Sequence, residues 1–183
     1  MKKIIACLFV LLGLLQVSVA FADIPSLYES KQSQLRRSAE ELERKGISIE
    51  NVKVVTQENK NVILGIELNC PEGGQLDCLV INMDDERIVG KCQERLNDWT
   101  KRKNNNFWIE LPIDTEEMFS GRNELEINCS YQINYELIKR LGGGYAWFKA
   151  GRPMKKTAKS VSKETTKRIV FMKTKTRYFV YEV

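Results

Sequence analysis

Carboxylates and cysteines are the side chains of this 183-residue chain that could do chemistry, because it contains no histidine. Without an imidazole there is no Ser-His-Asp or Cys-His nucleophile system, no histidine general base and no histidine-bearing zinc site. The carboxylates cluster twice, at Asp84-Asp85-Glu86 and at Asp114, Glu116 and Glu117. A pair facing each other about 5 to 9.5 Å apart across a cleft would supply the acid and base of glycoside hydrolysis, so a carboxylate-based hydrolase is one reading. Both clusters fall on turn signals, where solvated carboxylates are usual, and Asp114 with Glu117 has the form of a helix cap. Neither follows the Asp-x-Asp-x-Asp-Gly pattern of a calcium loop. No catalytic residue is assigned, no cofactor is expected, and the chain is read as a non-enzyme.

The five cysteines divide on a targeting signal. Residues 1–22 carry Lys2 and Lys3, an apolar run from Ile4 to Leu15 and an Ala20-Phe21-Ala22 ending, the pattern of a signal peptide cleaved after Ala22. The run is too short for an ordinary transmembrane helix and no second one follows, so no span is expected after cleavage. Cys7 leaves with the signal, and Cys70, Cys78, Cys92 and Cys129 enter an oxidising compartment as two expected disulfides. Strand phase ranks the pairings. Val62, Leu64, Ile66, Leu68 and Cys70 alternate, as do Leu125, Ile127 and Cys129, which turns both cysteines inward and favours Cys70–Cys129 with Cys78–Cys92. The competing pairing closes Cys70–Cys78 across Pro71-Glu72-Gly73-Gly74. The spacings lack the close C-x-x-C pairs of a zinc or redox site, so no metal is expected.

The elements that must position these residues begin with an amphipathic helix over 23–46. Ser26-Leu27-Tyr28-Glu29 reads as a capping box, Gly46 as the stop, and Tyr28, Leu35 and Leu42 as a narrow apolar stripe with Ala39 beside it. Glu40/Arg44 and Glu41/Lys45 are expected on the wet side. So narrow a stripe suits either a helix lying across its own domain or a short coiled-coil arm. From residue 47 onward the period becomes two, with strands expected over 48–56, 61–69, 76–83, 107–112, 124–131 and 166–183. Residues 93–99 read as a short helix or loop. The fold class is mainly β, an antiparallel sandwich or open barrel over 47–183 preceded by one helix.

Charge is split along this domain. Residues 23–138 hold 22 acidic and 14 basic side chains, whereas 139–183 hold 2 acidic and 13 basic. The basic excess, with almost no large apolar residue, is expected to form a solvated loop over 149–168. Lys149, Arg152, Lys155, Lys156, Lys159 and Lys163, with Tyr145 and Trp147 just before them, are the candidate contacts for an anionic surface. Gly142-Gly143-Gly144 lacks the spacing and the Lys-Ser/Thr of a phosphate loop. In the last segment Met172, Thr174, Thr176, Tyr178 and Val180 are expected to face inward, with Lys173, Lys175 and Arg177 guarding an edge. These cations interrupt the apolar outer face that an outer-membrane barrel strand requires.

Taken together, the sequence predicts a periplasmic or secreted, non-catalytic binding protein. The favoured role is a protein-interaction module of the bacterial envelope, an accessory subunit or an inhibitor, whose partner is another envelope or exported protein. The alternative is attachment to anionic lipid head groups or glycans through the basic region. No nucleic-acid partner is expected in that compartment.

Overall fold

A computed structural model describes residues 27–58, 61–97, 102–103, 106–116, 118–140, 154–175 and 177–182. The expected signal peptide lies outside them. Helix α1 (Leu27–Lys45) is followed by strands β1 (Ser48–Glu58), β2 (Asn61–Asn69), β3 (Gln75–Asn82), β4 (Arg87–Arg95), β5 (Arg102–Lys103), β6 (Asn106–Asp114), β7 (Gly121–Arg140), β8 (Met154–Lys173) and β9 (Tyr178–Glu182). Every pairing is antiparallel, and the strands join one sheet in the order β1-β2-β6-β4-β3-β7-β8-β9, with β5 on β6.

The sheet curls until its ends nearly meet. β9 lies beside β1, while the β4–β6 joint rests on a single partner pair, Gly90 and Ile113. Gly90 is needed there, since a Cβ would sit 2.5 Å from Leu111 Cδ2 and 2.8 Å from Ile113 Cγ2. The mainly-β class expected from the period-two pattern is what folds, and of the expected sandwich and open barrel the sheet takes the barrel-like form. The inner face is built from alternate residues: Val62, Leu64, Ile66 and Leu68 on β2, Phe107, Ile109 and Leu111 on β6, Leu125, Ile127 and Tyr131 on β7, all buried.

Helix α1 closes this core with Leu35, Ala39 and Leu42, so it lies across its own domain and the coiled-coil arm is set aside. The stripe is shorter than expected, because Tyr28 is 41% exposed and turns to β7 instead. On the wet side Glu41 pairs with Lys45 at 2.6 Å, but Glu40 is taken by Arg36 at 2.8 Å rather than by Arg44. Gly46, at φ 71°, donates its N–H to Leu42 O at 2.9 Å and ends the helix.

The C-terminal region differs most from expectation. The basic loop over 149–168 is, from Met154 onward, the first part of β8, and the long final strand is two strands turned at Thr174 and Arg177. Twenty-residue β7 imposes this: it offers β8 an unbroken ladder from Gly121↔Lys173 to Arg140↔Met154. Against such a template, interleaved Thr157, Val161, Thr165 and Thr166 suffice as strand formers, while Lys155, Lys156 and Lys159 stay wet. The phase is also shifted. Ile169 and Phe171 are buried, Met172 lies on the opposite face, and Lys173 turns inward to donate to Thr115 O at 2.6 Å and Met118 O at 3.1 Å. Residues 93–95 continue β4 rather than forming a helix.

Tyr131 ties the turn after β2 to this sheet. Its buried hydroxyl donates to Pro71 O at 2.6 Å and accepts from Gly74 N at 2.8 Å, and burial pushes its pKa upward. Residue 74 must be glycine, because a Cβ would lie 2.4 Å from the Tyr131 ring. Tyr131→Phe strands both backbone groups and is expected to cost about 2 kcal/mol in urea unfolding with an unchanged slope. An unchanged midpoint would remove the hydroxyl from the list of supports.

Candidate functional site

The longest ladder in the protein outruns its neighbours. β3 pairs with β7 only from Leu125 to Gln132, and β9 pairs with β8 only from Ile169 to Lys173. Residues 133–140 of β7 and 154–161 of β8 are therefore strand-paired only with each other and extend from the body as a two-stranded arm. Tyr131, Ile133, Tyr135 and Leu137 alternate along β7, a strand signal that continues past residue 131, where the sequence expectation stopped.

Side-chain alternation sorts the basic residues of the arm. Ile169 and Phe171 fix the odd positions of β8 on the inward side, which places Lys155, Lys159 and Lys163 in one row, four residues apart, with Lys167 at its end. Lys155 and Lys159 are exposed and Lys163 is half-buried; none of the three meets a carboxylate among the described residues. Lys167 is committed to the body, donating to Ile49 O, Glu50 O and Glu182 Oε1 at 3.3, 3.2 and 2.7 Å.

Lys156 points to the other side and has a structural role. Its ammonium lies 4.4 Å from the Tyr28 ring centre and 3.7 Å from Glu136 Oε2. Tyr28 donates its hydroxyl to Glu136 Oε2 at 2.7 Å, a bond that raises the phenol's pKa, and Gln32 Oε1 accepts the Glu136 N–H at 2.7 Å. The start of α1 thus clamps the base of the arm. A shallow cavity of about 430 Å³ opens there, lined by Gln32, Asn134, Tyr135, Glu136, Ala158, Lys159 and Ser160. Farther down β8, Arg168 bonds Glu126 at 2.8 Å and, with Asn128, holds that carboxyl below the usual range.

Of the expected anionic-surface residues, Lys155, Lys156, Lys159 and Lys163 fall on β8, and the row separates Lys156 from the other three. Tyr145, Trp147, Lys149 and Arg152 lie outside the described residues. Sequence reasoning did not connect Tyr28, Gln32, Tyr135 and Glu136 with the basic stretch; strand register brings Tyr135 and Glu136 to it, and the docking of α1 brings Tyr28 and Gln32.

The cysteines pair differently from expectation. Cys78 and Cys129 are direct cross-strand partners on β3 and β7, with Cα atoms 4.3 Å apart, and form the disulfide. Cys70 and Cys92 are half-buried and outside any disulfide, so neither Cys70–Cys129 nor Cys78–Cys92 forms, and one bond replaces the two expected. The physical reason is strand order: β2, which Cys70 follows, has β1 and β6 as neighbours and does not border β7. Phase gives the face on which a cysteine lies and is silent on its neighbour. Burial, reinforced by Glu94 and Asp77, pushes the Cys92 thiol up to about 11, which leaves it a poor nucleophile at neutral pH.

The carboxylate clusters remain turn residues. Asp85 accepts from Arg87 N at 3.2 Å and Asp114 from Glu116 N at 2.9 Å, local bonds that organise exposed turns. Glu117 lies outside the described residues, and among those described no group of three His, Cys, Asp or Glu side chains converges as a metal set. Among the same residues no helix is long and apolar enough to cross a membrane, which together with the disulfide is compatible with an exported protein. No family model, curated protein or solved structure matches the chain.

Proposed function

We propose that the chain is a non-catalytic, exported binding protein, a protein-interaction module of the bacterial envelope that acts as an accessory subunit or an inhibitor and docks through the β7–β8 arm. The signal pattern of residues 1–22, read as cleaved after Ala22, supports a periplasmic or secreted location. One observation carries the docking element: an arm strand-paired only with itself presents Lys155 and Lys159, and Lys163 continues their row at its base, all without carboxylate partners among the described residues. Desolvating a charge row that the body does not neutralise is favourable only against a negative surface, and steering by such a row speeds encounter.

Replacing Lys155, Lys159 and Lys163 together with serine removes no side-chain hydrogen bond or ion pair among the described residues. It is expected to lower cross-linked capture of the envelope partner about tenfold and to flatten its salt dependence. Equal capture by the triple variant would overturn the arm as docking element. The same unpaired row also suits anionic lipid head groups or glycans. Binding to anionic vesicles that is abolished by the triple variant, with no protein captured, would favour that second reading.

A further inference from the structure

The arm has a free sheet edge as well as a charge row. The Glu136 N–H is spent on Gln32, so the Glu136↔Ala158 pair is not hydrogen-bonded across the ladder. Alternation then directs the N–H and C=O groups of Lys156, Ala158, Ser160, Ser162 and Glu164 away from β7. The close Cα approach of Cys78 and Cys129 fixes the same parity independently: a 4.3 Å pair is the non-hydrogen-bonded kind, which turns the backbone of Cys129 toward its β8 partner Thr165. β9 occupies this edge of β8 from Ile169 to Lys173; β1 approaches at Lys167, but among the described residues no strand pairs with this edge over 154–168.

We infer that β8 accepts an extended acidic segment of a partner protein as an added strand in line with β9. The inference rests on the binding reading above and specifies its chemistry. Main-chain groups along 156–164 supply the hydrogen bonds, and side chains select the occupant. On one face Ala158, Ser160 and Ser162 are small and leave room beside the cavity under α1. On the other, Lys155, Lys159 and Lys163 recur about every 13 Å, the rise of four strand residues. Glutamate or aspartate in the added strand meets that row. A neutral or basic strand would bury lysine charge without compensation, so the row that admits an acidic segment also protects the edge from indiscriminate pairing.

The test uses the full exported chain and, as probe, a short peptide of alternating glutamate and threonine. Binding is expected to slow amide exchange at Ala158, Ser160, Ser162 and Glu164 about tenfold, with Val161 and Lys163 unchanged because β7 already holds them. Ser162→Pro removes one edge donor that the β7 ladder does not use, a position where a strand tolerates proline, and is expected to abolish peptide binding. Methylating alternate backbone nitrogens of the peptide should do the same on the unaltered protein, which keeps the test decisive if the proline variant folds poorly. Equal binding by the methylated peptide, or binding only of anionic vesicles, would overturn strand addition. Envelope capture separates the two levels. Capture lost in the triple lysine variant but kept in a folded Ser162→Pro variant rejects strand addition and leaves arm docking intact; capture kept in both rejects both.

Discussion

Removing Cys78 and Cys129 together is expected to lower stability by about 4 kcal/mol, from the 51-residue separation that the bond closes. Alanine is the suitable replacement, because both sites are buried and serine would add an unpartnered hydroxyl. For a domain of this size the loss corresponds to a fall of roughly 8 to 16 °C in Tm. Cys70→Ala and Cys92→Ala, at half-buried cysteines outside the disulfide, should each cost less than about 1 kcal/mol. Thermal and urea unfolding of the three variants without reductant therefore separates the pairings. A large loss in Cys70→Ala or Cys92→Ala, with little in the double variant, would restore a bond that the structure does not contain.

That contrast marks what a linear sequence can reveal here. Alternation placed Cys78 and Cys129 in strands, and Val62 through Leu68 was legible as an inward row because each position depends only on its own chain. Strand order depends on all chains together. β2 pairs with β6 rather than with β3, which follows it, so the phase logic that suggested Cys70–Cys129 lacked the lateral neighbour, and the hairpin logic that suggested Cys78–Cys92 did not show that β7 lies on the other side of β3. Cys92 is in fact opposite Cys78 in register, on the side away from Cys129.

The candidate site was half legible for a related reason. Its charge was visible, since 139–183 carry 13 basic side chains against 2 acidic. Its conformation was hidden, because lysine, serine and threonine at alternate positions read as a solvated loop until a twenty-residue partner strand is set beside them. The same partner assigns different work to neighbouring lysines: Lys156 is held by Tyr28 and Glu136, Lys167 by β1 and β9, and Lys155, Lys159 and Lys163 meet no carboxylate among the described residues.

Leu42→Ala is expected to cost about 3 kcal/mol, the middle of the range for truncating a fully buried leucine. α1 presents few apolar residues to the core, Leu35, Ala39 and Leu42, and helices in proteins draw most of their stability from packing such a face rather than from propensity. The consequence extends beyond the core. The other end of α1 holds the base of the arm through Tyr28 and Gln32, and the Glu136 N–H has its acceptor on the helix rather than on a strand. Loosened docking should therefore speed exchange at the Glu136 amide, while the Tyr131 amide, deep in the β3–β7–β8 ladder, follows only global unfolding. Tyr28→Ala removes the clamp without touching the core; it should accelerate the same amide and cost less than about 1 kcal/mol. If Leu42→Ala proved as mild as Tyr28→Ala, the helix would not be docked as described, and the narrow stripe would again suit a helix that leaves its own domain to find a partner.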